Sequence, residues 1–199
     1  MILILIIFYL SYFQIQNEEI IVDSNFTFEE AISGIYIPDE IKSKLELLDV
    51  QYYSFDGRLH KGQILVNKKV KNDILEIFRI IKETKFPVEK VIPISYYNWD
   101  DEKSMSDNNT SAFNYRFVRN TKVYSYHSYG LAIDINPMLN PYSKGGKILP
   151  ENALYNPDVK GTLTKNSLIV KEFVKRGWQW GGNWKKLKDY QHFEKRISP

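Results

Sequence analysis

A stretch of strict two-residue alternation constrains the fold of this chain more than any other sequence feature. Residues 131–136 read LAIDIN, with a large apolar side chain at every second position. Because successive side chains of a strand point to opposite faces, this segment predicts a strand with one apolar face and one small or polar face. Asp134 lies on the second face, where small Ala132 leaves room for a groove. Strands disfavour aspartate, so this carboxylate needs a partner.

Three segments carry helical signals. Asn67–Thr84 has apolar residues at helical spacing, and so has Lys165–Arg176, which ends at a typical C-terminal cap, Gly177. A shorter helix is expected to open at Pro38 and to run through Leu48, because acidic residues in its first turn favour the helix dipole. The residues predicted to face the core are Val70, Ile74, Ile77, Phe78 and Ile81 in the longest helix and Leu168, Ile169, Phe173 and Val174 in the last.

The remaining segments are predicted to be strands and loops. Val50–Phe55 and Gln63–Val66 predict two strands around an Asp-Gly turn, and Val91–Tyr97 predicts a third strand. Trp99–Tyr115 and Asn136–Leu163 read as loops. Helices and strands are mixed without regular βαβ units, so the expected fold class is α+β.

Composition narrows the classes of function. The 199 residues are 43% hydrophobic, which suits one domain with a packed core. The net charge is +3 and no basic stripe is evident, so we expect no nucleic-acid partner. The chain has no cysteine, which excludes disulfides, thiolate zinc sites and cysteine nucleophiles. Any histidine-based metal site must therefore draw on His60, His127 and His192.

The amino terminus predicts export. Residues 1–13 read MILILIIFYLSYF, an uncharged run that would span about 20 Å as a helix, short of a ~30 Å hydrocarbon core. Its length fits the apolar region of a signal peptide, with a buried strand as the alternative. We therefore divide the chain into a signal peptide or anchor at 1–19, a linker at 20–35 and a folded domain at 36–199. The expected location is the cell envelope or the extracellular space, with residues 1–13 as a membrane tether if they are retained.

Two groups of residues carry the chemistry. In the first, Gly130 allows a tight bend that can bring His127 back alongside Asp134. Imidazole and carboxylate together are good ligands for a divalent metal, zinc above all. In the second, Asp189 and His192 are three residues apart, so they face the same way in one helical turn or a tight turn. If His192 binds the metal, Asp189 lies where a hydrolytic water needs a base.

Two further side chains bear on this site. Arg116 precedes the first group, and a guanidinium there is suited to bind a substrate carboxylate or to polarise the scissile carbonyl. Three protein ligands leave a zinc ion an open position, as catalytic sites require and structural sites do not. His60 is not expected to be a ligand, because the glycines and basic residues around it predict a solvated loop.

The two groups together resemble a known family. The pattern SxHxxGxAxD at 125–134, followed by DxxH at 189–192, is similar to the signature of the M15 peptidases. These are the zinc D-Ala-D-Ala carboxypeptidases, VanY-type enzymes and phage endolysins, within a larger group that includes hedgehog domains. Residues 108–116, 136–142 and 180–184 add to the resemblance, which covers roughly residues 36–194.

The resemblance implies a fold and a set of roles. It implies a small α+β domain in which a central antiparallel sheet, flanked by helices, carries one catalytic zinc ion. Carried over by position, His127, Asp134 and His192 are the metal ligands, Asp189 is the catalytic base, and Arg116 stabilises the substrate or the developing oxyanion. Many relatives have Glu where Asp189 stands, whereas the endolysin-like branch has Asp, so the substrate stays open.

Three functions follow as hypotheses. The leading one is a monomeric zinc peptidase that hydrolyses peptidoglycan stem peptides as a D-Ala-D-Ala carboxypeptidase, with Ser125, Trp180 and Trp184 in contact with the substrate. The first alternative is a peptidoglycan endopeptidase, which shares the chemistry but cleaves the L-Ala-D-Glu bond or a related one. The second is a zinc-stabilised binding module, which would not need Asp189. A serine hydrolase is disfavoured because the chain has no Gly-x-Ser-x-Gly elbow.

Overall fold

The computed structural model describes residues 19–198, in which short strands and helices follow one another in mixed order. The elements are β1 (Ile21–Val22), α1 (Phe28–Ala31), α2 (Asp39–Lys42), β2 (Leu45–Tyr53), β3 (Leu59–Asn67), α3 (Lys71–Glu83), β4 (Lys90–Val91), α4 (Asp101–Ser106), β5 (Asn109–Thr110), β6 (Ala132–Asp134), β7 (Tyr142–Lys144), β8 (Lys147–Leu149), α5 (Leu168–Lys175), β9 (Gln179–Trp180), β10 (Lys188–Asp189) and β11 (His192–Glu194). Short 3-10 helices occupy Lys68–Val70, Ile94–Tyr97, Tyr126–Tyr129 and Gly181–Asn183. None of the helices in the described range is long and apolar enough to cross a membrane. The apolar run at 1–13 lies outside the described residues.

The strands form several small sheets. β2 and β3 make a long antiparallel hairpin, to which β1 adds in parallel. A second sheet has the order β6-β11-β9, a third has the order β10-β7-β8, and β4 pairs with β5. The mixture is compatible with the α+β class, but the expected central antiparallel sheet is not confirmed, because the sheets are several and small. One reason is that β6 ends early: Asn136 adopts a φ of 46° and Pro137 has no N–H to donate.

One hydrophobic core packs against the sheet formed by β6, β11 and β9. Leu131, Ile133 and Ile135 are all 0% exposed, as the alternation in 131–136 predicts. The α3 residues that the helical spacing places in the core are buried as well. Phe173 of α5 stacks on Phe193 of β11 with ring centroids 3.9 Å apart. The core therefore packs directly against the strand that begins with His192 and fixes its position.

Several predicted boundaries are corrected by the structure. The helix that opens at Pro38 stops at Lys42, because the next residues alternate in burial and pair with β3 as strand β2. The predicted strand Val91–Tyr97 is interrupted by Pro93 and continues as a 3-10 helix. The predicted loop Trp99–Tyr115 contains α4, and the long loop Asn136–Leu163 contains the hairpin of β7 and β8.

Two further expectations differ from the observed packing. The segment 20–35, predicted to be a linker, pairs with β3 through β1 and forms α1, whose Thr27 and Glu30 make a capping box. In α5, Leu168 and Val174 are each 47% exposed, so the predicted inward face is rotated toward Val170. Gly177, two residues after the end of α5, has a φ of 80°, as the predicted C-terminal cap requires.

Candidate metal centre

His127, Asp134 and His192 converge in one buried group. Each offers a ligand atom, and these atoms lie within 4.8 Å of one another. Asp134 on β6 stands directly opposite His192 on β11 in the antiparallel ladder, so their side chains are cross-strand neighbours. His127 reaches them from the 3-10 helix Tyr126–Tyr129. The structure therefore brings together the three residues that the sequence predicts as metal ligands.

The bend at Gly130 makes this convergence possible. Gly130 has a φ of 64°, and a Cβ there would lie 2.6 Å from the backbone nitrogen of Asn67. That nitrogen donates a 2.9 Å hydrogen bond to the carbonyl of Gly130. The bend thus packs tightly against the end of β3, where only glycine fits, and it turns His127 back toward β6.

The extended segment 111–116 holds the group from the other side. The backbone nitrogen of Asp134 donates to the carbonyl of Ser111 at 2.9 Å. The Nδ1 atom of His127 lies 2.5 Å from the carbonyl oxygen of Ala112, and the carbonyl of His127 accepts from the nitrogen of Asn114 at 3.1 Å. These backbone contacts set the orientation of the His127 ring.

Hydrogen bonds define which ring nitrogen of each histidine faces the group. Because His127 Nδ1–H donates to Ala112, its Nε2 lone pair points inward. Because His192 Nε2–H donates to a Glu194 oxygen at 3.2 Å, its Nδ1 lone pair points inward. These two nitrogens are 3.1 Å apart, and the Asp134 oxygens lie 3.0 Å from one and 3.3 Å from the other. Three acceptors at such distances could hold a metal ion between them, and the set of donor atoms fits zinc.

The pKa values of Asp134 and His192 also favour a positive charge in the group. Burial alone would raise the pKa of Asp134, but the two imidazoles hold this pKa well below its usual range. Burial alone would lower the pKa of His192, but hydrogen bonds with Asp134 and Glu194 raise it to about 10. The group thus attracts positive charge, and a divalent ion can replace the proton because ligand binding and deprotonation are coupled.

Asp189 lies close to this group but in a different sheet. It ends β10, opposite Tyr142 of β7, whereas His192 begins β11, so of the two predicted links, a helical turn or a tight turn, the helical turn is not formed and residues 190–191 are a bend between two strands. Its Oδ1 atom is shielded from solvent and has no hydrogen-bond partner among residues 19–198. Burial raises the pKa of Asp189 to about 6, with a further upward contribution from Asp134 and an opposing one from His192. The carboxylate is thus kept available for proton transfer.

A glycine allows Asp189 to take this position. A Cβ on Gly181 would meet the backbone oxygen of Asp189 at 2.5 Å and its Cβ at 2.8 Å. The backbone of the 3-10 helix Gly181–Asn183 therefore passes directly against Asp189. The absence of a side chain at Gly181 therefore leaves the space that β10, the strand that carries the predicted base, occupies.

Arg116 is already engaged in an ion pair. Its Nη2 lies 3.0 Å from Oδ2 of Asp101. The other carboxylate oxygen of Asp101, Oδ1, accepts a hydrogen bond from the side chain of Asn114. The backbone nitrogen of Arg116 donates to the hydroxyl of Ser128, one residue beyond His127. The Nε atom is buried and finds no acceptor in the part of the chain that the structure describes. Arg116 is therefore tied to the turn that carries His127, with Asp101 as a partner that sequence reasoning missed.

The predicted substrate contacts divide into two kinds. Trp184 is partly exposed, and its ring centroid lies 5.4 Å from that of His192, so it forms a wall beside the group. Trp180 is 3% exposed, and its indole Nε1 donates to the carbonyl of Tyr190. The hydroxyl of Ser125 accepts from the backbone nitrogen of His127, which caps the 3-10 helix. Their positions give Trp180 a packing role and Ser125 a capping role.

For two polar residues, Glu194 and His60, the structure differs from what the sequence predicts. Glu194 was missed, although its place two residues after His192 puts both on one face of a strand. Its second oxygen accepts from Arg196 Nε at 2.6 Å. His60 is 8% exposed within β3 and is paired with Asp23 at 2.9 Å, so the prediction of a solvated loop is wrong. It is not a member of the three-residue group.

A buried His-Asp-His group with a shielded carboxylate beside it is the arrangement of a hydrolytic metal centre. Residues 119–195 match the family model described as D-alanyl-D-alanine carboxypeptidase. A stretch of 73 residues is 40% identical to the peptidoglycan L-alanyl-D-glutamate endopeptidase CwlK of Bacillus subtilis (strain 168). That stretch covers 35% of this chain and 38% of the relative, and no solved structure matches. Over these residues, the two matches confirm the predicted resemblance to the M15 peptidases.

Proposed function

We propose that this protein is a zinc peptidase that hydrolyses the stem peptides of peptidoglycan. The observation that carries the proposal is the convergence of His127 Nε2, His192 Nδ1 and the Asp134 carboxylate, in which the other hydrogen bonds of the two imidazoles turn these nitrogens toward the carboxylate. The family match includes all three residues and Asp189. Arg116 lies before the matched residues, so its role rests on its position in the structure.

The three acceptors are the atoms that would hold zinc. Bound zinc supplies Lewis-acid chemistry, which polarises a carbonyl and lowers the pKa of water. Asp189 takes the proton from the attacking water and returns it to the leaving amine, because its shielded oxygen has no competing partner. A carboxylate with a pKa of about 6 can accept and release a proton near neutral pH. Trp184 excludes water from one side of the reacting bond.

The ion pair of Arg116, the cationic side chain beside the site, bears on which peptide bond is cleaved. A carboxypeptidase must bind the terminal carboxylate of its substrate, and the predicted group for this is Arg116. Its charge is already balanced by Asp101 at 3.0 Å. The first candidate is therefore an endopeptidase that cleaves the L-Ala-D-Glu bond, in line with the name of the relative CwlK. The D-Ala-D-Ala carboxypeptidase is the second candidate, supported by the description of the family model.

A zinc-stabilised binding module is the least supported function. Such a module needs the three ligands but has no use for an unpaired buried carboxylate, which costs free energy to maintain. The Oδ1 atom of the half-buried Asp189 is shielded from solvent and has no partner within residues 19–198. The uncharged run at 1–13 further supports an exported protein, because peptidoglycan lies outside the cytoplasm.

The test is digestion of a free stem pentapeptide that ends in D-Ala-D-Ala, followed by mass spectrometry. The zinc-loaded protein is expected to separate L-Ala from D-Glu. Release of one terminal alanine would instead identify the carboxypeptidase. Absence of any cleavage, with zinc bound at one ion per chain, would contradict the proposed function and favour the binding module.

Matched variants assign the roles. Asp189→Ala is expected to keep zinc and to lose at least about 100-fold in hydrolysis, the usual contribution of a general base. Asp158→Ala, at an exposed loop position, is the control and is expected to leave both unchanged. His192→Ala is expected to lose zinc and hydrolysis together. Full zinc occupancy in His192→Ala would rule this residue out as a ligand.

A further inference from the structure

An exposed group of aromatic rings lies on the hairpin that leads into the metal centre. Residues 116–125 fold back on themselves, with a β-bridge between Phe117 and Tyr124. The ring of Tyr124 stacks with that of Phe117 at 4.3 Å and with that of Tyr115 at 5.0 Å, and it meets Tyr129 edge-on at 6.4 Å. We call these four residues the aromatic platform.

The aromatic platform is exposed to a degree that packing does not require. Phe117 is 47% exposed and Tyr124 is 36% exposed, and Val123 beside them is 66% exposed. Tyr115 and Tyr129 also pack against the hydrophobic core, whereas Phe117 and Tyr124 stack on each other, and the hydroxyl of Tyr115 donates to that of Tyr124 at 2.9 Å. Contiguous exposed apolar surface of this kind is typical of a binding site rather than of a solvated face.

A cavity adjoins the aromatic platform. Its volume is about 270 Å³, close to the lower limit for ligand pockets, so it suits a unit of the size of one sugar ring. Its walls combine rings with polar groups: Tyr115, Tyr124, Tyr129, Pro38, Ile41, Glu40, Lys44 and Asn67. The one acidic and the one basic residue cancel in formal charge, so the cavity matches a neutral ligand rich in hydroxyl and amide groups.

We propose that the aromatic platform and its cavity bind the glycan strand of peptidoglycan. An N-acetylated sugar is neutral, has apolar C–H faces that pack on flat rings, and has hydroxyl and amide groups that pair with Tyr, Asn, Glu and Lys. This inference rests on the proposed function, because it names the second part of the same substrate.

The position of the aromatic platform fits such a substrate. Tyr129 and His127 belong to the same 3-10 helix, and Tyr115 precedes Arg116. In peptidoglycan, the alanine of the L-Ala-D-Glu bond is joined by an amide bond to the lactyl group of an N-acetylated sugar. A stem peptide whose first bond is cleaved at the metal centre therefore keeps its glycan strand close to the elements that carry these rings.

Binding is tested with a chitin oligosaccharide, a soluble chain of N-acetylglucosamine, by calorimetric titration of the zinc-loaded protein. Tyr124→Ala and Phe117→Ala are each expected to weaken binding by about tenfold. Tyr96→Ala is the matched control, because this tyrosine is 61% exposed but lies on another segment. Thermal unfolding identifies a variant that fails to fold. If Tyr124→Ala is unstable, the affinity of Phe117→Ala decides the outcome, because Phe117 is the more exposed of the two residues.

Hydrolysis separates this inference from the proposed function. Tyr124→Ala is expected to cleave a free stem peptide at the normal rate and intact peptidoglycan about tenfold more slowly. If the unmodified protein cleaves no stem peptide, the proposed function fails, and the titration still judges the aromatic platform. Absent oligosaccharide binding, equal affinity in all variants, or self-association that Tyr124→Ala abolishes would each overturn the inference.

Discussion

Replacement of Glu194 by alanine is expected to weaken zinc binding by about 10- to 100-fold. The Glu194 carboxylate lies 3.2 Å from His192 Nε2, and the two residues are 6% and 7% exposed, so the hydrogen bond is shielded from water. A buried hydrogen bond to a charged group contributes roughly 1.5–3 kcal/mol, and about 1.4 kcal/mol corresponds to tenfold in affinity. Loss of this bond frees the His192 ring to change tautomer and orientation.

Competition with a chromophoric zinc chelator measures the effect directly. Glu194→Gln keeps an acceptor for His192, so its loss of affinity is expected to be smaller than that of Glu194→Ala. Arg196→Ala is the matched control: it removes the 2.6 Å contact to the other Glu194 oxygen and leaves the bond to His192 in place. NMR of the imidazole nitrogens provides a second readout, because the Nε2–H of His192 should lose its protection in Glu194→Ala but not in Glu194→Gln or Arg196→Ala.

Two results would refute this reasoning. A folded Glu194→Ala protein that binds zinc within twofold of the unmodified protein would show that the tautomer is fixed by other contacts. An equal loss in Arg196→Ala and Glu194→Ala would show that the charge balance of the strand end, and not the bond to His192, controls affinity.

Three further outcomes follow from the packing around the site. Phe193→Ala is expected to lower the free energy of unfolding by about 3–5 kcal/mol in urea titration, because its ring is 0% exposed and stacks on Phe173. Gly130→Ala should unfold at lower urea and bind zinc weakly, whereas Gly57→Ala, with a φ of 77° but an open environment, should cost only about 1–2 kcal/mol. Chelation of zinc should lower the melting temperature, since free ligand at 100 times its Kd stabilises a fold by about 2.7 kcal/mol; an unchanged melting curve would contradict a bound ion.

Much of the metal centre could be predicted because its signals are local. The alternation around Asp134 depends only on neighbouring residues, and a strand of that pattern buries one face wherever it lies. Gly130 likewise marks a bend through its own backbone freedom. The spacing of Asp189 and His192 placed both near the site, although the predicted helical turn is not formed and a bend joins two strands of different sheets instead.

The sequence by itself determined the ligand types, the apolar faces of α3 and β6 and the α+β mixture, because periodicity and residue chemistry act over a few neighbours. Only the tertiary structure decided which strands pair, and with them the roles of residues that look alike in the sequence. Trp180 is buried against the core while Trp184 lies beside His192, and Asp101 and Glu194 become partners of Arg116 and His192. Strand pairing joins residues far apart in the chain, so its register depends on contacts that no local pattern contains.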